Sequence, residues 1–207
     1  MFDPLMRRAL DPTLDTAGMA LARRGVRANQ VTLVGFALGL MAAALIATGA
    51  PGWIALIPLL ASRIADGLDG AVARASRITD FGGYLDIVCD FIFYGAIPLA
   101  FVLRDTDANG VAGAVLLAAF YANGSSFLSF AILAAKRGMT TETRGVKSLY
   151  FTAGLLEGTE TIVFFVVICV WPAAFSWLAL VFGGLCYVTA ASRILLASRV
   201  FGPRAAD

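Results

Sequence analysis

The sequence predicts an all-α membrane protein: six transmembrane helices preceded by an amphipathic interfacial N-terminal helix. Three observations predict it. Of the 207 residues, 59% are hydrophobic and only 14% are charged, against about 25% charged in a typical soluble domain. Mean hydropathy is +0.82, so the chain cannot cover its apolar side chains with a polar surface of its own. The apolar residues also gather into six stretches, close to the roughly 20 residues a helix needs to cross a bilayer. No soluble domain, low-complexity tract or internal repeat interrupts the pattern. Residues 1–207 therefore read as one domain, with an interfacial segment over 1–28 and the helical bundle over 29–200.

The first segment carries Arg7, Arg8, Arg23, Arg24 and Arg27 and no long apolar core, so no cleaved secretory signal is expected. Asp11 is placed to cap a helix with Pro12 at its first position. Leu14, Ala17 and Leu21 beside Arg23 and Arg24 suit that helix to the membrane surface. Asn29 is then expected to cap the first span. The spans read as Val31–Ala50, Gly52–Leu68, Tyr84–Leu103, Gly110–Ala135, Leu149–Trp171 and Ala174–Ser198. Tight turns at Pro51-Gly52 and near Pro172 make the first pair and the last pair antiparallel hairpins.

Charge sets the orientation. Of 16 lysines and arginines, only Arg104 falls in a loop on the side of the first, third and fifth connections. By the positive-inside rule the opposite side is cytoplasmic, and it holds both termini.

The chain has no histidine, which excludes Ser-His-Asp chemistry and His-ligated zinc. Cys89, Cys169 and Cys186 lie in apolar stretches without metal-ligand spacing and read as small buried hydrophobes. Nothing in the composition points to nucleic acid as a partner.

The informative stretch runs from Asp66 to Asp90. Asp66 and Asp69 are three apart at the end of span two, and Asp86 and Asp90 are four apart at the start of span three. Both spacings put a pair on one helix face, and the short connection lets the two faces converge. Four carboxylates cannot stay close uncompensated, because like charges repel and burial favours protonation. Protons could compensate them, as in an ion pathway. Hard divalent cations could also do so: Mg²⁺, Mn²⁺ or Ca²⁺. Four aspartates interleaved with Gly70 and Arg74 favour metals. Gly67 and Gly70 allow close approach of a bulky group or of a neighbouring helix. Arg74 is a fixed cation suited to phosphate oxygens, whereas Arg77 reads as a membrane anchor.

Asp66-x2-Asp69-Gly70-x2-Ala73-Arg74, followed by Gly82-x3-Asp86-x3-Asp90, resembles the signature of the CDP-alcohol phosphotransferases, a family of bacterial and other membrane enzymes. Asn29-Gln30-Val31-Thr32 also looks like the family, with Ala28 where proline is expected. The connection from Arg74 to Gly82 is shorter than usual. The resemblance implies that Asp66, Asp69 and Asp86 ligate one or two divalent cations, Mg²⁺ or Mn²⁺. It makes Asp90 the general base, itself able to touch a metal, and assigns Gly70, Ala73 and Arg74 to the CDP moiety. The implied substrates are CDP-diacylglycerol or a similar CDP-lipid and a small alcohol acceptor. The implied setting is a homodimer in the bacterial inner membrane. An ion-coupled transporter and a lipid-binding relative without activity are the rival readings. The first leaves Gly70 and Arg74 without a task, and the second would be expected to have lost an aspartate.

Later spans should form the acceptor pocket. Lys147, nearest the start of span five, stands out among Lys136, Arg137 and Arg144 for binding an acceptor anion, though all four also suit positive-inside anchoring. Glu157 and Glu160 are acids inside a span, which are functional by default. They are placed to bind a polyol or an ammonium group, or to pair with Arg193 or Arg63.

Overall fold

The computed structural model describes residues 3–139, 156 and 158–202. Among them the regular elements are all helical: α1 (Asp3–Arg23), α2 (Ala28–Ala47), α3 (Gly52–Ala75), α4 (Asp80–Arg104), α5 (Thr106–Lys136), α6 (Gly158–Val170) and α7 (Phe175–Phe201). A 3-10 turn at Pro172–Ala174 leads into α7. Among the described residues, four segments are long and apolar enough to cross a membrane: α2, α4, α5 and residues 172–201. Helix α3 has 24 residues, but Arg63, Asp66, Asp69 and Arg74 break its apolar surface. Helix α6 has 13 residues, and the expected start of that span at Leu149 lies outside the described residues.

Two helix starts differ from expectation. Helix α1 begins at Asp3 and carries Pro12 in its interior, so Asp11 caps nothing. Asp3-Pro4 supplies the same acid-then-proline start earlier in the chain. Interior proline costs a backbone hydrogen bond, about 3 kcal/mol, and packing further along offsets it. An added Cβ at Gly18 would lie 2.6 Å from Ala71 Cβ and 2.8 Å from the Ala71 carbonyl carbon. Backbone therefore meets backbone where α1 crosses α3. Helix α2 begins at Ala28 with Arg27 as its cap, so Asn29 sits in the first turn. The Arg27 N–H donates to Gln30 Oε1 at 3.0 Å. Gln30 reaches the cap from inside the helix, leaving Asn29 free to face Gly82.

Helix α2 packs on both α3 and α4, α1 lies on α3, and α5 pairs with α7. Gly35 and Gly39 permit the first two contacts. A Cβ at Gly35 would come within 2.9 Å of Ala65 Cβ, and one at Gly39 within 2.6 Å of the Phe93 ring. The α2–α3 turn uses Gly49 at φ 79°, a left-handed conformation that favours glycine. Arg104 Nη1 then donates to the Ala50 carbonyl at 3.0 Å, tying the end of α4 to that turn.

Aromatic rings join the helices in the core. Phe93 of α4 meets Phe165 of α6 edge-on at 5.8 Å. Phe164 stacks on Phe182 of α7 at 4.3 Å, and Phe101 stacks on Phe175 at 4.7 Å. Cys89, Cys169 and Cys186 are buried and unpaired, as the apolar context suggested.

Candidate active site

Helices α3 and α4 deliver the acidic side chains. The Gly82 N–H donates to Thr79 Oγ1 at 3.0 Å, which caps α4 and fixes the phase of its first turns. Asp86 and Asp90 then share a face. Because α3 and α4 both pack on α2, the acidic ends of the two helices meet beside it.

One carboxylate oxygen from each of Asp66, Asp86 and Asp90 lies within 4.8 Å of the other two, and all three side chains are half-buried. Asp69, also expected to ligate the metal, is not within this 4.8 Å set. It is 6% exposed and accepts a hydrogen bond from Thr32 Oγ1 of α2 at 2.6 Å. An all-oxygen set of three carboxyl groups on two helices fits a hard divalent cation such as Mg²⁺ or Mn²⁺. The absence of histidine and thiolate from the set argues against zinc or copper.

Arg63 completes the cluster. Its Nη1 donates to Asp90 Oδ1 at 2.8 Å and lies 3.6 Å from Asp66 Oδ1, with the side chain 10% exposed. Its Nη2 donates to Ser62 Oγ at 3.1 Å, and the guanidinium sits 3.9 Å from the Phe93 ring centre. From the sequence, Arg63 reads only as a partner for the glutamates. The available signal was an arginine inside an apolar run, three residues before Asp66.

The nucleotide candidates lie further along α3. Gly70 presents an open face, with Arg74 Nη1 3.4 Å from an added Cβ, while Gly67 meets Leu14 of α1, so its role is helix packing. Ala73 is half-buried. Arg74 reaches outward and donates through Nη2 to Asp15 Oδ1 of α1 at 2.7 Å.

In the second half, Arg193 is buried between α5 and α7. Its Nη1 donates to the Asn123 side-chain oxygen at 2.9 Å and to Ser126 Oγ at 2.7 Å. Its guanidinium lies 5.6 Å from the Phe127 ring centre. Glu160 is half-buried in the first turn of α6. Lys147 and Glu157 lie outside the described residues.

Comparison with known proteins agrees with this chemistry. A family model described as CDP-alcohol phosphatidyltransferase matches residues 25–194. The chain is 44% identical over 196 residues to inner membrane protein YnjF of Escherichia coli K12, across 94% of each chain. It is 40% identical over 97 residues to archaetidylinositol phosphate synthase of Methanothermobacter thermautotrophicus, covering 46% of each. The protein of the same name from Pyrococcus horikoshii is 35% identical over 86 residues, covering 41% of this chain and 45% of the relative. The matched region contains the converging aspartates of α3 and α4, and the chain belongs to the CDP-alcohol phosphatidyltransferase family, multi-pass membrane enzymes that transfer substituted phosphate groups.

Proposed function

We propose that the chain transfers a phosphatidyl-type group from a CDP-linked lipid, such as CDP-diacylglycerol, to a small alcohol, releasing CMP. The observation that carries this reading is the meeting of Asp66, Asp86 and Asp90 within 4.8 Å, next to the open face of Gly70. Those three residues would hold Mg²⁺ or Mn²⁺, with Asp69 three residues beyond Asp66 on α3. A divalent cation there supplies positive charge to the diphosphate and to the departing CMP.

The chain's own residues do the rest. Gly70 lets the nucleotide approach α3 closely, Ala73 keeps that face small, and Arg74 binds phosphate oxygens. Asp90 takes the proton of the acceptor hydroxyl. The acceptor oxygen bonds to the lipid-side phosphorus, and the bond from that phosphorus to CMP breaks, its electron pair leaving with CMP. Arg193 and Glu160, with Lys147 and Glu157, form the acceptor pocket. Arg193 favours an anionic or polyol acceptor, a choice supported by the inositol phosphate product in the names of the two archaeal relatives.

The enzyme works in the inner membrane as a homodimer, with six spans and both termini cytoplasmic. The CDP-lipid keeps its tails in the bilayer while its headgroup enters from the cytoplasmic side.

The test supplies purified protein with CDP-diacylglycerol, Mg²⁺ and a panel of alcohols: serine, glycerol 3-phosphate, inositol phosphate and a second phospholipid. Acceptor-dependent CMP release should appear, vanish with EDTA, and fall by about 10²–10⁴-fold in Asp90→Asn. CMP release indifferent to chelation would overturn the metal reading. No release with any acceptor would overturn the substrate reading.

A further inference from the structure

We infer that Arg63 is a tethered counter-cation that competes with the divalent ion for Asp90 and Asp66, and so sets how weakly the site holds its metal. This inference rests on the proposed carboxylate site and adds a positioning residue to it.

Four observations converge on Arg63. First, its guanidinium is placed at the carboxylates, 2.8 Å from Asp90 Oδ1 and 3.6 Å from Asp66 Oδ1. Second, the side chain is only 10% exposed, so water screens its charge poorly. Third, the group cannot easily leave. It packs 3.9 Å from the Phe93 ring centre, and Phe93 is itself fully buried. Fourth, its Nε is buried without a hydrogen-bond partner among the described residues. A guanidinium held only for stability would be expected to satisfy that donor. Here the fork is turned to reach Asp90 and Ser62 instead.

The physical consequence has a definite sign. Three half-buried carboxylates repel one another, and Arg63 offsets part of that repulsion before any metal arrives. A dication entering among Asp66, Asp86 and Asp90 meets this fixed positive charge and must share Asp90 with it. Removing the charge therefore does two opposite things. It strains the metal-free protein, because the carboxylates lose their compensation. It also strengthens cation binding, because the competitor is gone. Asp66 and Asp90 sit on well-packed helices, so loss of orientation by the missing guanidinium is the smaller effect.

The test is Mg²⁺ and Mn²⁺ titration of the purified, substrate-free protein by calorimetry, with thermal unfolding followed with and without metal. Arg63→Met keeps the length and apolar packing but not the charge. Its cation Kd should tighten by about tenfold, and its melting point should fall without metal and rise further on metal addition than that of the unchanged protein. Arg63→Lys keeps the charge and should retain a Kd close to the original. Should Arg63→Met not survive purification, Arg63→Gln carries the same expectation.

Equal cation Kd values for the original protein, Arg63→Met and Arg63→Lys would overturn the inference and leave the proposed transfer reaction standing. Weaker binding in Arg63→Met would also overturn it. Failure of every form to bind either cation would overturn both the inference and the metal reading beneath it.

Discussion

Thr32 on α2 donates its hydroxyl to an Asp69 oxygen at 2.6 Å, so the most buried aspartate of the signature is held by a neighbouring helix. The bond ties one Asp69 oxygen to α2, while Asp66, Asp86 and Asp90 gather between α3 and α4. It also makes α2 part of the site, although that helix carries no acidic residue.

Thr32→Val should expose the value of this bond. Valine matches the shape but leaves a buried carboxylate oxygen without its donor, at a cost of about 1–3 kcal/mol. Denaturant or thermal unfolding in detergent should register that loss, and Thr32→Ser should recover most of it. A valine variant as stable as the original would mean that Asp69 finds another partner at no cost.

Asp15 and Arg74 lead to a different expectation. Their side chains are 48% and 51% exposed, so the pair contributes less than about 1 kcal/mol. Arg74 cannot serve Asp15 and a phosphate equally well, so Asp15 competes with the CDP-lipid. Asp15→Asn should leave stability almost unchanged and lower KM for the CDP-lipid a few-fold without raising kcat in proportion. An unchanged KM would separate Arg74 from nucleotide binding.

Gly18 gives a packing test. In Gly18→Ala the new methyl would sit 2.6 Å from Ala71 Cβ, forcing α1 away from α3 at a cost of about 1–3 kcal/mol. Gly83 has nothing within 4 Å of an added Cβ. Gly83→Ala should therefore be neutral or stabilise α4 by up to about 1 kcal/mol. Paired unfolding curves should separate the two variants. Equal effects would mean that α1 does not bear on α3 at Gly18.

The parts of the fold legible in the sequence were those governed by local pattern. Long apolar runs gave α2, α4, α5 and α7 nearly at their observed bounds, because apolar length is what a membrane helix requires. The apolar run of the second expected span ends at Leu68, whereas helix α3 continues to Ala75. Its charges interrupt the apolar run without breaking the helix, because they find partners on α1, α2 and α4. The aspartate spacings indicated convergence but not its detail. Residues three apart are offset by about 60° around a helix, enough for Asp66 to face α4 while Asp69 turns toward Thr32. Long-range partners were not legible at all. Arg74 and Asp15 are 59 residues apart in the chain, and Arg63 meets Asp90 only because α3 and α4 pack on a common helix.

The most direct measurement is Mn²⁺ binding to the purified protein, followed by electron paramagnetic resonance, with Asp66→Asn, Asp86→Asn and Asp90→Asn compared one at a time. Asp80→Asn, altering an exposed acid in the first turn of α4, serves as the control. A shared cation predicts bound Mn²⁺ in the original protein and in Asp80→Asn, with affinity weakened by roughly tenfold or more in each of the other three, since affinity follows ligand charge. Mn²⁺ held equally well after loss of any one of those carboxylates, or not held by the original protein, would contradict it.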